Sequence, residues 1–194
     1  MSDMVQLAPR PFTVDEYHRM AGAGLFADER VELLDGVIVT MSPIGQRHWR
    51  RHATISAYLL ETLGARAVIV PQGSFPLGDR NEPQPDVAVL APHVDEAKAI
   101  VVSRDIYSAL ELAETSLAVD LGPKLRLYAR FGISDYFVVD LAANVLLHHT
   151  EPHDLGYRRV ERLGPGATFV LQRVPDVVLR SDPFLAPRED AAAR

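Results

Sequence analysis

The feature that most restricts this chain is a series of apolar runs, four or five residues long, bounded by turn-forming residues, with one long stretch of helical period among them. Ala67-Val-Ile-Val70, Asp86-Val-Ala-Val-Leu90, Tyr136-Phe-Val-Val-Asp140, Val145-Leu-Leu-His-His149 and Thr168–Leu171 have strand length and strand composition. Tyr157–Arg162 adds another. In Gln46–Leu63, by contrast, Trp49, Ala53, Ser56/Ala57, Leu60 and Leu63 recur at helical spacing, and Gly64 closes the segment. That spacing predicts a helix with Trp49 in the core. The mixture predicts one α/β domain with helices packed on a central mixed β-sheet.

Local signals place the other elements. Thr13-Val-Asp-Glu16 is a capping box for a first helix that stops at Gly22 or Gly24. Val31–Leu34 and Val37–Met41 flank Asp35-Gly36, a hairpin signature, and Pro43 and Gly45 break the pattern after it. Gly73–Leu77 is a candidate strand. Residues 104–122 read both ways: Ala109-Leu-Glu-Leu-Ala113 alternates like a strand, yet Ala, Leu and Glu favour helix. Pro123 suits the first position of a helix running to Gly132, which would put Lys124 in the first turn, against the macrodipole.

With 194 residues the chain suits one domain at 11–185, preceded by a lead-in at 1–10 and followed by a polar, Ala-rich tail at 186–194. It contains no cysteine, which excludes disulfides, a thiol nucleophile and Cys-ligated metals. No apolar run approaches the length of a membrane span or a signal peptide, so a cytoplasmic location and no membrane partner are expected. A net charge of −6 does not advertise a nucleic-acid binder, although a carboxylate-rich metal site is itself negative. The phosphate-binding glycine loop, the dinucleotide fingerprint and the serine elbow are all missing.

The candidate chemistry lies in a few residues. Asp86 opens a strand after Pro85, and Glu111, if its segment is a strand, shares a face with the small Ala109 and Ala113. Two carboxylates are the usual protein contribution to a Mg²⁺ site, and the Lys124 ammonium would stabilise charge developing on a phosphate. Glu32 is a third acid. Arg47, His48, Arg50 and Arg51 form a basic run that opens a helix and offers phosphate contacts. Each also has an ordinary reading: a turn aspartate, a solvated glutamate, a lysine paired with Asp120 four residues away, a solvated helix face. His48 and His52 have no third ligand at zinc spacing, and His148, His149 and His153 read as decoration on a hairpin.

The order of these motifs is more telling than any one of them. Phe12-Thr-Val-Asp-Glu-Tyr17, Val31-Glu-Leu-Leu-Asp-Gly36, Met41-Ser-Pro43 with His48, Gln84-Pro-Asp-Val-Ala-Val89, Leu110-Glu-Leu112, Asp120-Leu-Gly-Pro-Lys124 and Tyr128–Asp140 together resemble the Uma-type restriction endonuclease family of the PD-(D/E)XK nuclease superfamily, across about residues 11–185. The resemblance implies a restriction-endonuclease-like core. It implies Asp86 and Glu111 as metal-binding acids, Glu32 as an additional acid and Lys124 as the lysine supplied by the following helix. Asp120 and His48 fall at positions the family tends to fill alike. The chain departs from the superfamily pattern at Ala113, where the strand normally carries the lysine.

The expected function is a Mg²⁺- or Mn²⁺-dependent endonuclease acting on DNA, with a homodimer expected by analogy with the superfamily. Two alternatives stand beside it: a nuclease-dead module that binds nucleic acid or regulates, and a metal-dependent hydrolase of a small phosphorylated molecule.

Overall fold

A computed structural model describes residues 9–41, 45–95 and 101–186. Most of the predicted lead-in, Pro43 and nearly all of the predicted tail lie outside the described residues. Thr13 Oγ1 accepts the Glu16 N–H at 3.2 Å and Glu16 Oε2 accepts the Thr13 N–H at 3.0 Å, so the capping box starts helix α1 (Val14–Gly22) as expected. Strands β1 (Val31–Leu34) and β2 (Val37–Thr40) form the predicted hairpin. Its turn holds Asp35 at φ 49° and Gly36 at φ 77°, and a side chain on Gly36 would collide with Pro11.

Helix α2 (Gln46–Leu63) forms where its period predicts, but it presents a different face to the core. Ile55, Leu59 and Leu63 are buried, while Trp49 is 51% exposed and Leu60 61% exposed. The helix carries two apolar stripes, and packing selects the one with β-branched and leucine bulk. Gly73–Leu77 is not a strand; it is an irregular segment between β3 (Val68–Pro71) and β4 (Val87–Leu90), anchored by the Phe75 and Leu77 N–H groups on the Pro83 and Asn81 carbonyls.

The ambiguous segment is strand β5 (Ile106–Ala113). Pairing with two neighbours overrides its helical composition. Then come α3 (Leu117–Val119), a π-helical turn at Asp120–Lys124, and α4 (Leu125–Arg130). Pro123 therefore lies inside a continuous helical stretch, not at its start, and Lys124 is not in a first turn. A proline has no N–H to give the ladder, and a π-turn is one way a helix absorbs that loss.

Strands β6 (Asp135–Asp140), β7 (Val145–His153) and β8 (Gly156–Leu163) complete a six-stranded sheet of order β3-β4-β5-β6-β7-β8. The β5–β6 pair is parallel and the rest antiparallel, so the sheet is mixed, with helices α3 and α4 in the crossover between the parallel strands. A second hairpin, β9 (Thr168–Leu171) with β10 (Val174–Arg180), includes a strand absent from the sequence reading. One face of the sheet packs on α2 and the β9–β10 hairpin through Val87, Leu110, Phe137 and Val139. The other packs on α4 and β1 through Ala88, Ala109, Tyr136 and Val138. No helix among the described residues is long and apolar enough to cross a membrane.

Candidate active site

Strand register places the two principal acids. Val87 pairs with Leu110, so Asp86, just before β4, continues the ladder to the level of Glu111, on the face carrying Ala88 and Ala109. Asp86 Oδ2 accepts the Leu112 N–H at 2.8 Å and lies 3.2 Å from His48 Nε2. His52 Nε2 donates to the Asp86 carbonyl at 2.8 Å. The two histidines, one turn apart on α2, thus hold the side chain and the backbone of the same aspartate.

Glu111 is met from the helical side. Lys124 Nζ donates to its Oε1 at 3.1 Å, and the Tyr128 hydroxyl donates to the same oxygen at 3.1 Å. Four residues apart, Lys124 and Tyr128 lie on one helical face. Lys124 Nζ also stands 3.0 Å from Glu32 Oε2, an oxygen that accepts the Gln84 N–H at 3.1 Å. Lys124 forms its ion pairs with Glu111 and Glu32; no pair with Asp120 forms among the described residues. Asp120 instead accepts the Ser116 hydroxyl at 2.5 Å. Glu32, Glu111, Asp120 and Lys124 are all buried, and with Asp86 and His48 they line a cleft of about 220 Å³.

Five carboxylates, those of Glu32, Asp86, Glu111, Glu114 and Asp120, share this cleft with Lys124 and Arg30. Burial pushes the Glu111 carboxyl well up, Lys124 opposes that shift, and Asp120, Asp86 and Glu32 add to it. Burial likewise raises Asp120 to about 6, against the Ser116 hydrogen bond and the Lys124 charge. Burial works against the Lys124 ammonium, but Glu111, Glu32 and Asp120 outweigh it and hold its pKa above the usual lysine range. The hydrogen bond to Asp86 raises His48 against its burial. The site is short of positive charge, and that is what a divalent cation supplies.

Among the described residues no three His, Asp or Glu side chains gather as a ligand set. The two acids Asp86 and Glu111 fit a hydrated ion. Asp86 Oδ1 and Glu111 Oε2 have no hydrogen-bond partner among the described residues, and two carboxylate oxygens suit a Mg²⁺-like ion that keeps most of its waters.

The basic run at the start of α2 is divided. Arg47 donates to the Leu141 carbonyl at 2.7 Å, Arg51 to the Pro183 and Leu185 carbonyls, and His48 turns to Asp86. The Arg50 guanidinium lies over the Trp49 ring, 5.7 Å from its centroid. His148 and His149, read as hairpin decoration, are buried. Tyr128 was missed as a site residue, and His52, weighed only as a zinc ligand beside His48, holds the Asp86 backbone instead; each stands four residues from a candidate.

A model of the Uma2 family, described as "Putative restriction endonuclease", matches residues 14–188. The chain belongs to the Uma2 family. A search of curated proteins finds no match. Among solved structures this Uma2 chain is similar to one described as "a putative nuclease belonging to DUF820" from Anabaena variabilis, with a TM-score of 0.68 and 14% identity, over 90% of this chain and 98% of that one. At that identity the likeness shows the shared fold alone, a mixed α/β domain. The family points to a nuclease.

Proposed function

We propose that this Uma2 protein is a divalent-metal-dependent endonuclease that hydrolyses phosphodiester bonds in DNA at the Asp86–Glu111–Lys124 cleft. The observation that carries this reading is the position of Lys124. The strand offers only Ala113 where a lysine is needed, and the π-turn brings Lys124 Nζ to 3.1 Å from Glu111 and 3.0 Å from Glu32.

Asp86 and Glu111 would hold Mg²⁺ or Mn²⁺, which supplies charge neutralisation at the phosphate and a bound water of lowered pKa. Lys124, kept charged by the surrounding carboxylates, stabilises negative charge developing on the phosphate. Tyr128 and Lys124 together fix one oxygen of Glu111 and leave the other to the cleft. His48, His52 and the Leu112 N–H fix Asp86 in the same way. Glu32 anchors Lys124 from the β1–β2 hairpin. Arg47 and Arg50 edge an open groove beside the start of α2 and give the nucleic-acid backbone its phosphate contacts.

The test is incubation with plasmid, single-stranded DNA and RNA in Mg²⁺ and in Mn²⁺, alongside Asp86→Ala, Glu111→Ala and Lys124→Ala. Metal-dependent DNA cleavage lost in all three variants is expected. Cleavage that survives in all three overturns the assignment, and turnover confined to small phosphodiesters replaces DNA with a small substrate.

A further inference from the structure

The two basic side chains of fixed charge in the cleft, Lys124 and Arg30, are held differently. Lys124 is buried and pinned between Glu111 and Glu32, so its charge is shared with two carboxylates before any substrate arrives. Arg30 is half-buried, and among the described residues no carboxylate stands within ion-pair distance of it. Its backbone continues the β1–β2 ladder, the Met41 N–H donating to its carbonyl at 2.9 Å. Two residues before Glu32, it lies on the same face of the hairpin, about 7 Å along the strand. Arg30 Nη2 donates to Gln84 Oε1 at 2.9 Å, and Gln84 Nε2 donates to the Gln72 carbonyl at 2.9 Å, which sets the amide oxygen toward the guanidinium. Gln84 is neutral, so it orients Arg30 without cancelling its charge. One N–H is spent on that contact, and a complete edge of two parallel donors remains.

We propose that Arg30 binds the substrate's phosphodiester group, its free edge taking two phosphate oxygens while Asp86 and Glu111 hold the metal. This rests on the nuclease reading of the cleft and adds the residue that grips the group to be cut. A planar fork matches two phosphate oxygens in a way that an ammonium cannot. An arginine among five carboxylates would ordinarily fold onto one of them; the glutamine brace keeps this one available. Its charge reaches the metal-binding acid: the Asp86 hydrogen bond raises His48, and Arg30 opposes that rise. The ordinary reading makes Arg30 a tie between the hairpin and Gln84. That tie needs a donor and no charge.

Single-turnover cleavage of duplex DNA in Mg²⁺ tests the role. Arg30→Ala should slow it on the order of 100-fold, with the melting temperature little changed. Arg30→Lys, which returns the charge without the fork, should recover only part of the rate. Added guanidinium ion should speed the alanine variant and not the wild type, an effect that a tie to Gln84 would not produce. An alanine variant that cuts as fast as the wild type overturns the proposal and leaves the nuclease reading standing. A loss that guanidinium leaves unrepaired makes Arg30 a brace and overturns it too. A wild-type chain that cuts no nucleic acid refutes the nuclease reading, and binding of inorganic phosphate in Mg²⁺, followed by phosphorus NMR, then decides. Binding weakened about tenfold or more in Arg30→Ala keeps Arg30 as the phosphate ligand, whereas equal binding, or none in either protein, overturns it.

Discussion

The sheet buries ionisable groups on both faces, and the two clusters differ in a way that separates function from packing. On the cleft face, five carboxylates share the space with Lys124 and Arg30, and burial raises Glu111 and Asp120. On the opposite face, Asp135 is fully buried and every oxygen is matched: Oδ1 takes His148 Nε2 at 2.8 Å and Oδ2 takes the Gln172 N–H at 3.0 Å. Phe137 stacks on the His148 ring at 4.2 Å, and the β9–β10 hairpin packs over them. In the second cluster the acid is fully matched, with His148 Nδ1 left without a partner, and the cluster ties the hairpin to the sheet. The first is open and unbalanced. Burial of charge is common to both; only the excess of acid beside a cleft marks a place for a cation and a phosphate.

The largest test of this contrast is Lys124→Met, which leaves Glu111 and Glu32 without their cation. It should cost about 3–5 kcal/mol in denaturant unfolding and abolish cleavage. Adding Glu111→Gln should return part of the stability and none of the activity. A loss no larger than that of a surface change, within about 0.5 kcal/mol, would mean that the ion cluster does not hold the fold.

His148→Ala strips Asp135 of a hydrogen-bond partner and removes the stack on Phe137. The expected cost is about 2–4 kcal/mol of stability, with cleavage per folded molecule unchanged. Activity that falls while the protein remains folded would erase the distinction between the two faces.

Asp120→Asn probes the imbalance itself. Its carboxyl, raised from 3.8 to about 6, is favoured in the protonated form by the fold, facing Ser116 and Lys124 and sharing the cleft with Asp86 and Glu32. Its contribution is therefore fully present below the ordinary value and is lost as pH rises through about 6. The metal-free wild type should lose up to about 3 kcal/mol across that window, and the asparagine variant should not, making it the more stable protein at neutral pH. Melting temperature against pH, with metal chelated, checks the sign; a flat wild-type profile would refute it.

The smallest effect is expected at the histidine clamp. His48→Ala frees Asp86 Oδ2 on one side only, so cleavage should fall about tenfold or somewhat more, with a higher metal requirement. His48→Asn, whose amide can still donate, should recover part of the loss. Equal activity in all three proteins would show that the Leu112 N–H and His52 suffice to set Asp86.

Much of this molecule could be read locally. The capping box at Thr13, the Asp35-Gly36 hairpin and the apolar runs of β4, β6 and β7 depend on neighbours a few residues away, and they formed as expected. So did the fold class and the family, because the order of motifs is a property of the chain. What failed or stayed open depended on partners far along it. The segment at β5 is helical in composition and became a strand only because β4 and β6 pair with it. Helix α2 has two apolar stripes, and its own period cannot say which one the sheet will cover.

The candidate site divides along the same line. Asp86, Glu111, Glu32 and Lys124 were nameable by type and order, and Lys124 stands out as one of two lysines among 20 basic residues. Their union was not. Lys124 reaches Glu111 because a π-turn containing Pro123 sets its direction, and it reaches Glu32 because the β1–β2 hairpin folds back over the same cleft. The sequence by itself determined which acids and which cation this protein owns. Tertiary structure alone decided that they share one cleft, where burial raises the Glu111 and Asp120 carboxyls and the surrounding carboxylates hold Lys124 charged.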